Sequence, residues 1–234
     1  MNRSLFYIVV VAALGGFLFG FDSGVISGAE KAIQDEFALT PFWHGLIISG
    51  ALIGTVIGVF TAGRPSDRWG RKPTLWLMGT LFLISAVGCA FTPFDRTWGP
   101  HLLGWFRFIG GLAIGGVSVV VPLYLVEVSP GKYRGRLVAM NQFNIVFGVL
   151  AALTSNLLLK DVGANAWRWM LGAEAFPALA FVLLTPFLVE SPRWRAMKAK
   201  EEVRGKKEEA RREAFFSKAN LRPILLAFLV AFFN

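Results

Sequence analysis

The chain has 234 residues, of which 55% are hydrophobic, 14% aromatic and only 17% charged. So apolar a composition excludes an ordinary water-soluble domain and suits a protein that crosses a membrane several times. The net charge of +9 does not imply nucleic acid, because the cations gather at the ends of apolar runs, where membrane topology accounts for them.

Six runs are long enough to cross a hydrocarbon core of about 20 helical residues. Their limits are near 5–29, 43–63, 73–91, 102–126, 137–159 and 168–189. The first is too long for a secretory signal and has no Ala-x-Ala site, so it reads as a retained span. In it Gly16, Gly20, Gly24 and Gly28 recur every four residues, and in the second run Gly50, Gly54, Gly58 and Ala62 do the same. Such smooth stripes let membrane helices approach closely.

Between the second and third runs lies the charged hairpin Arg64-Pro-Ser-Asp-Arg-Trp-Gly-Arg-Lys72, with Gly63 and Gly70 expected to let the chain turn. Six crossings return the chain to its starting side. Nineteen of the 24 cations then fall on the side of this hairpin and four on the other, with Arg107 inside the fourth run. That bias predicts a cytoplasmic N-terminus and hairpin. Pro122, Pro177 and Pro186 lie within apolar runs and are expected to kink them. Ser191 and Pro192 then suit the N-cap and first position of a charged cytoplasmic helix. A final apolar stretch, 221–234, is too short to complete a crossing.

An ionised side chain in hydrocarbon costs about 2.5–3.5 kcal/mol on insertion scales, so each one inside a run is a functional candidate. There are three: Asp22, Arg107 and Glu174. Asp22 is set about 200° around its helix from the glycine stripe, and the topology places all three at similar depth toward the extracellular half. One guanidinium can bridge two carboxylates. Burial favours the neutral form of Asp22 and a neighbouring Arg107 its charged form, so small movements would load or release a proton. In the fifth run Asn141, Gln142 and Asn144 offer uncharged donors and acceptors, suited to a polyol. Cys89 stands alone in an apolar run, and His44 and His101 lack ligand spacing. No metal, cofactor or catalytic set is therefore expected, and an enzyme is the least favoured class.

Several motifs in order carry a resemblance: Gly15-Gly-Phe-Leu-Phe-Gly-Phe-Asp22, Gly63 to Lys72, Arg107-Phe-Ile-Gly-Gly111, Pro122 to Glu127 followed by Arg134-Gly-Arg136, Asn141-Gln-Phe143, Trp167-Arg-Trp-Met170 and Glu190-Ser-Pro-Arg193. Together they resemble the N-terminal half of the sugar porter family of the major facilitator superfamily. The resemblance implies an all-α fold of six transmembrane helices in 3+3 repeats (1–190), a cytoplasmic linker helix (191–220) and the start of a seventh span (221–234). It implies a proton-coupled monosaccharide symporter of the inner membrane, in which Asp22, Arg107 and Glu174 couple the proton. Gln142, Phe19 and Asn141 would contact the sugar. Asp67, Arg68, Arg71, Glu127, Arg134, Arg136, Glu190 and Arg193 would form cytoplasmic salt bridges. Partners would be the monosaccharide, the proton, membrane lipids and a second six-helix half. The chain alone is expected to be inactive unless two copies pair. A facilitative uniporter and a non-transporting sugar sensor are the alternatives. Val149 and Val189 depart from the family pattern, the first where some proton-coupled members carry glutamine and the second where proline is usual.

Overall fold

The computed structural model describes residues 3–163 and 165–215, and all regular structure among them is helical. The chain divides into two units, one ending at Ser191 and one beginning at Pro192. The first holds α1 (Arg3–Glu36), α2 (Pro41–Thr61), α3 (Gly63–Trp69), α4 (Arg71–Ala90), α5 (Gly99–Val128), α6 (Arg134–Leu159), α7 (Ala166–Ala173) and α8 (Ala175–Leu184). The second holds α9 (Pro192–Phe215). The final apolar stretch, 221–234, lies outside the described residues.

Among the described residues six segments are long and apolar enough to cross a membrane: α1, α2, α4, α5, α6 with the turn before it, and α7 with α8 taken together. The first departs most from the expected limits. The first apolar run ends near Ala29, yet α1 continues to Glu36. Val25, Ala29, Ile33 and Phe37 keep the inward face buried at i, i+4 spacing, and the Phe37 ring meets Trp167 edge-on at 6.0 Å. Helical periodicity thus carries α1 past the point where hydropathy falls, and Asp22 comes to lie nearer its middle than its end.

The sixth span is broken at Glu174, between α7 and α8. Pro177 has no N–H to give the Ala173 carbonyl four residues back, so the ladder lapses there and resumes with Ala178 N–H to Glu174 O at 3.1 Å. Pro186 converts the last turn to 3-10 geometry. The carbonyls left over at that end accept from hydroxyls: Tyr7 Oη donates to Leu184 O at 2.5 Å and Tyr124 Oη to Val189 O at 2.6 Å. Pro122, by contrast, is absorbed inside a continuous α5.

The hairpin is itself a helix, α3, in which Gly63 is an ordinary helical residue. Only Gly70 turns the chain, with a φ of +111° that side chains rarely adopt.

Packing follows the glycines. The two most extensive contacts are α2 against α5 and α1 against α6. A Cβ on Gly54 would strike the Phe108 carbonyl and one on Gly111 the Ala51 carbonyl. The same holds for Gly20 against Ile145 O and Gly148 against Phe17 O. Counting spans, the second meets the fourth as the fifth meets the first, which is the correspondence that two three-helix repeats require. The most buried spans, α1 and α5, run through the centre.

Candidate functional site

The bundle core is divided by a polar layer. One apolar cluster contains Leu18, Phe82, Val117 and Ala178, and the other Phe21, Cys89, Leu103 and Leu171. Along α1, α5 and the sixth span, Asp22, Arg107 and Glu174 lie at the boundary between them, exposed by only 1%, 4% and 2%. Arg107 Nη1 donates to Asp22 Oδ1 at 2.5 Å and Nη2 to Oδ2 at 3.2 Å, a bidentate pair formed across 85 residues of chain. The Glu174 carboxyl is buried in the same layer and, among the described residues, makes no hydrogen bond to Arg107. It is held by the lapse in the sixth span rather than by a direct bond to the arginine. Arg107 Nε and Glu174 Oε1 are buried without a hydrogen-bond partner. The expected bridging of two carboxylates by one guanidinium is not formed: Arg107 bonds Asp22, and Glu174 stands beside the pair.

Two further residues shape this layer. Ser85 Oγ donates to the Phe106 carbonyl at 2.8 Å, one residue before Arg107. Gly110 leaves room there, since its Cβ would come within 2.5 Å of Ser85 Oγ and 3.8 Å of Asp22 Oδ1. Ser85 was detectable only as a polar residue in the middle of an apolar run. Gly110 offered no signal distinct from the other glycines.

The polyol candidates do not gather in one cavity. Asn141 is buried against Gly16 of α1, its Oδ1 unpartnered, so it belongs to the helix contact. Gln142, the next residue, is turned about 100° away and exposed. Phe19 is half-buried against the first apolar cluster. A groove of about 510 Å³ between α1, α6 and α8 is lined by Phe17, Phe21, Phe147, Pro177 and, from the amide cluster, Asn144 among others, while Asn141, Gln142 and Phe19 are not in its wall.

At the hairpin end the charged residues centre on Arg71. Its side chain is 3% exposed and that of Glu127 1%. Nε and Nη2 each donate to the Glu127 carboxylate at 3.0 Å, and Nη1 donates to Asp67 Oδ1 at 2.9 Å and Ser66 O at 2.8 Å. Glu190 accepts from the Arg71 and Lys72 amides at 2.9 Å and 3.3 Å, capping the first turn of α4, and from its neighbour Ser191 N at 2.9 Å. It packs directly on Gly70, where any Cβ would collide with it. Replacing Glu190 by alanine is expected to lower stability by about 1–2 kcal/mol, and by glutamine less, as read from thermal unfolding.

The remaining members of the proposed salt-bridge set stand apart. Arg68 and Arg136 are exposed and make no ion pair among the described residues, because the turn at Gly70 and the first turn of α6 point them outward. Arg134 Nε donates to the Ser129 carbonyl at 3.2 Å at the end of α5. Arg193 belongs to the second unit. A further clamp went unread in the sequence. Arg168 Nη1 donates to the Ala90 and Thr92 carbonyls at the end of α4, with its guanidinium 3.8 Å from the Phe94 ring centroid.

Residues 8–225 match the family described as sugar (and other) transporter. The chain belongs to the sugar transporter family. It is 42% identical over 207 residues to the probable metabolite transport protein CsbC of Bacillus subtilis, covering 88% of this chain and 42% of that one. It is 36% identical over 225 residues to the D-xylose-proton symporter of Escherichia coli, covering 85% and 46%. The major facilitator proton:xylose symporter XylE, solved with 6-bromo-6-deoxy-D-glucose, superposes with a TM-score of 0.79 at 33% identity, over 86% of this chain and 48% of that one. XylE from E. coli in a partially occluded inward open conformation gives the same TM-score, over 86% and 53%. This sugar transporter family chain therefore spans about half the length of the curated relatives it matches. It is a multi-pass membrane protein with the six-helix fold of half a major facilitator transporter.

Proposed function

We propose that this chain forms the proton-coupling half of a monosaccharide symporter in the inner membrane, with its N-terminus, hairpin and α9 on the cytoplasmic side. The observation that carries this reading is the buried, bidentate Asp22–Arg107 pair with Glu174 beside it. A carboxylate among apolar clusters needs either its arginine or a proton, and exchanging one for the other is a coupling step. Glu174 offers a second carboxyl on which the proton can rest as the arginine moves. Gln142, exposed on α6, supplies donor and acceptor for a sugar hydroxyl, with Phe19 nearer the core. Arg71, Glu127, Asp67 and Glu190 hold the cytoplasmic end shut in the outward-facing state, with Arg68, Arg134, Arg136 and Arg193 available to a second six-helix half. The domain limits of the proposal are a bundle to residue 190, a linker helix over 191–220 and a seventh span from 221.

The test uses this chain fused ahead of the part of the E. coli xylose symporter that it does not cover, reconstituted in proteoliposomes and assayed for binding and exchange of labelled xylose. Asp22→Asn is expected to abolish accumulation driven by a pH gradient and to leave exchange down the sugar gradient intact. Undiminished accumulation removes Asp22 from coupling and favours facilitated diffusion. Sugar binding without exchange in any form favours a sensor.

A further inference from the structure

The helix α9 carries nine cations and five acids, and five of the cations share one face from which the acids are absent. Arg193, Lys200, Arg204, Lys207 and Arg211 are separated by seven, four, three and four residues. At 100° per residue these positions fall in a stripe about 60° wide that runs about 27 Å along the helix. All five are exposed, and no acidic residue lies within the stripe. Glu201, Glu202, Glu208 and Glu209 occupy the adjoining and opposite faces, where Lys198 pairs with Glu201 at 2.9 Å. On the other flank of the stripe come Ala196, Ala199 and Val203, small apolar residues that are also exposed. Among the described residues the one ion pair that reaches the stripe is Arg204 to Glu208 at 3.0 Å. With side chains 82% and 61% exposed it is too solvated to neutralise the arginine.

We propose that α9 is an electrostatic membrane anchor whose basic stripe binds the headgroups of anionic phospholipids. Its covalent position supports that occupant: Pro192 follows directly on the last residue of the membrane bundle, so the stripe begins at a bilayer surface. Charge complementarity supports it as well, each lysine or arginine near an anionic surface being worth about 1 kcal/mol. The neighbouring alanines and valine let the helix lie flat against the headgroups, and their small size keeps it out of the hydrocarbon. With no acid inside the stripe itself, the headgroups meet less repulsion there than a mixed surface would give.

The experiment places the full chain in bilayers of phosphatidylcholine alone and with about a third phosphatidylglycerol, and follows amide hydrogen exchange over residues 196–209. Exchange is expected to be at least severalfold slower in the anionic bilayer and to return to the neutral rate when salt screens the surface. Replacing Lys200 and Lys207 together by glutamine should shift the docking equilibrium about thirtyfold and remove the protection. Replacing Arg195 and Lys198 together, which lie on the acidic side, should leave it in place. Equal exchange in the two bilayers overturns the anchor. Equal loss in both double variants overturns the stripe as its cause.

Discussion

Replacing Arg107 by leucine is expected to lower the stability of the bundle by about 3–5 kcal/mol, the cost of leaving one partner of a buried ion pair alone. The pair spans α1 and α5, the two helices at the centre, and the 1% exposed Asp22 shares its buried layer with Glu174. Removing the guanidinium leaves two carboxyl groups facing each other in an apolar core with no cation between them. Thermal unfolding of the detergent-solubilised chain reads the loss, a change of roughly a hundredfold or more in the folding equilibrium. The double variant Asp22→Asn with Arg107→Leu removes the stranded charge and should recover most of that stability. Equal instability of the single and double variants would show that Arg107 acts by packing alone.

Arg71→Ala is expected to cost a similar 3–5 kcal/mol, from the opposite end of the fold. One guanidinium there serves Glu127 on α5 and both Asp67 and Ser66 on α3. Alanine strands Glu127, whose side chain is 1% exposed, and unties α3 from α4. Lysine keeps the charge but has no planar fork to make two bonds to Glu127 while reaching Ser66 and Asp67, so it should rescue only part. Protease cleavage within 63–70, together with the unfolding midpoint, separates a loosened hairpin from a loosened bundle. Full stability with alanine would mean that Glu127 finds another partner.

These two arginines also show what kind of reasoning reached the site. Asp22, Arg107 and Glu174 stood out because lipid makes any ionised residue in an apolar run costly, a rule that needs no coordinates. Their order of contact did not follow from it, since three groups at one depth can pair in several ways. At the hairpin, all the charges of Arg64 to Lys72 and 132–136 looked alike in sequence. Only the turn at Gly70 directs Arg71 inward and leaves Arg68 outside. Asn141 and Gln142 are a similar case, adjacent in sequence yet on different helix faces. One meets Gly16 of α1 and the other is open.

Taken by itself, the sequence determined the all-helical class, the six membrane-crossing segments, the glycine stripes on the first two of them and the identity of the three buried charges. Each of these follows from local rules: hydrocarbon thickness, the helical repeat and the cost of charge in lipid. The tertiary structure alone decided the extension of α1 to Glu36, the pairing of Arg107 with Asp22 rather than with Glu174, and the choice of Arg71 as the centre of the hairpin network. Those outcomes depend on which faces of distant helices meet, and that is set by the packing of the whole bundle, which no short stretch of chain encodes.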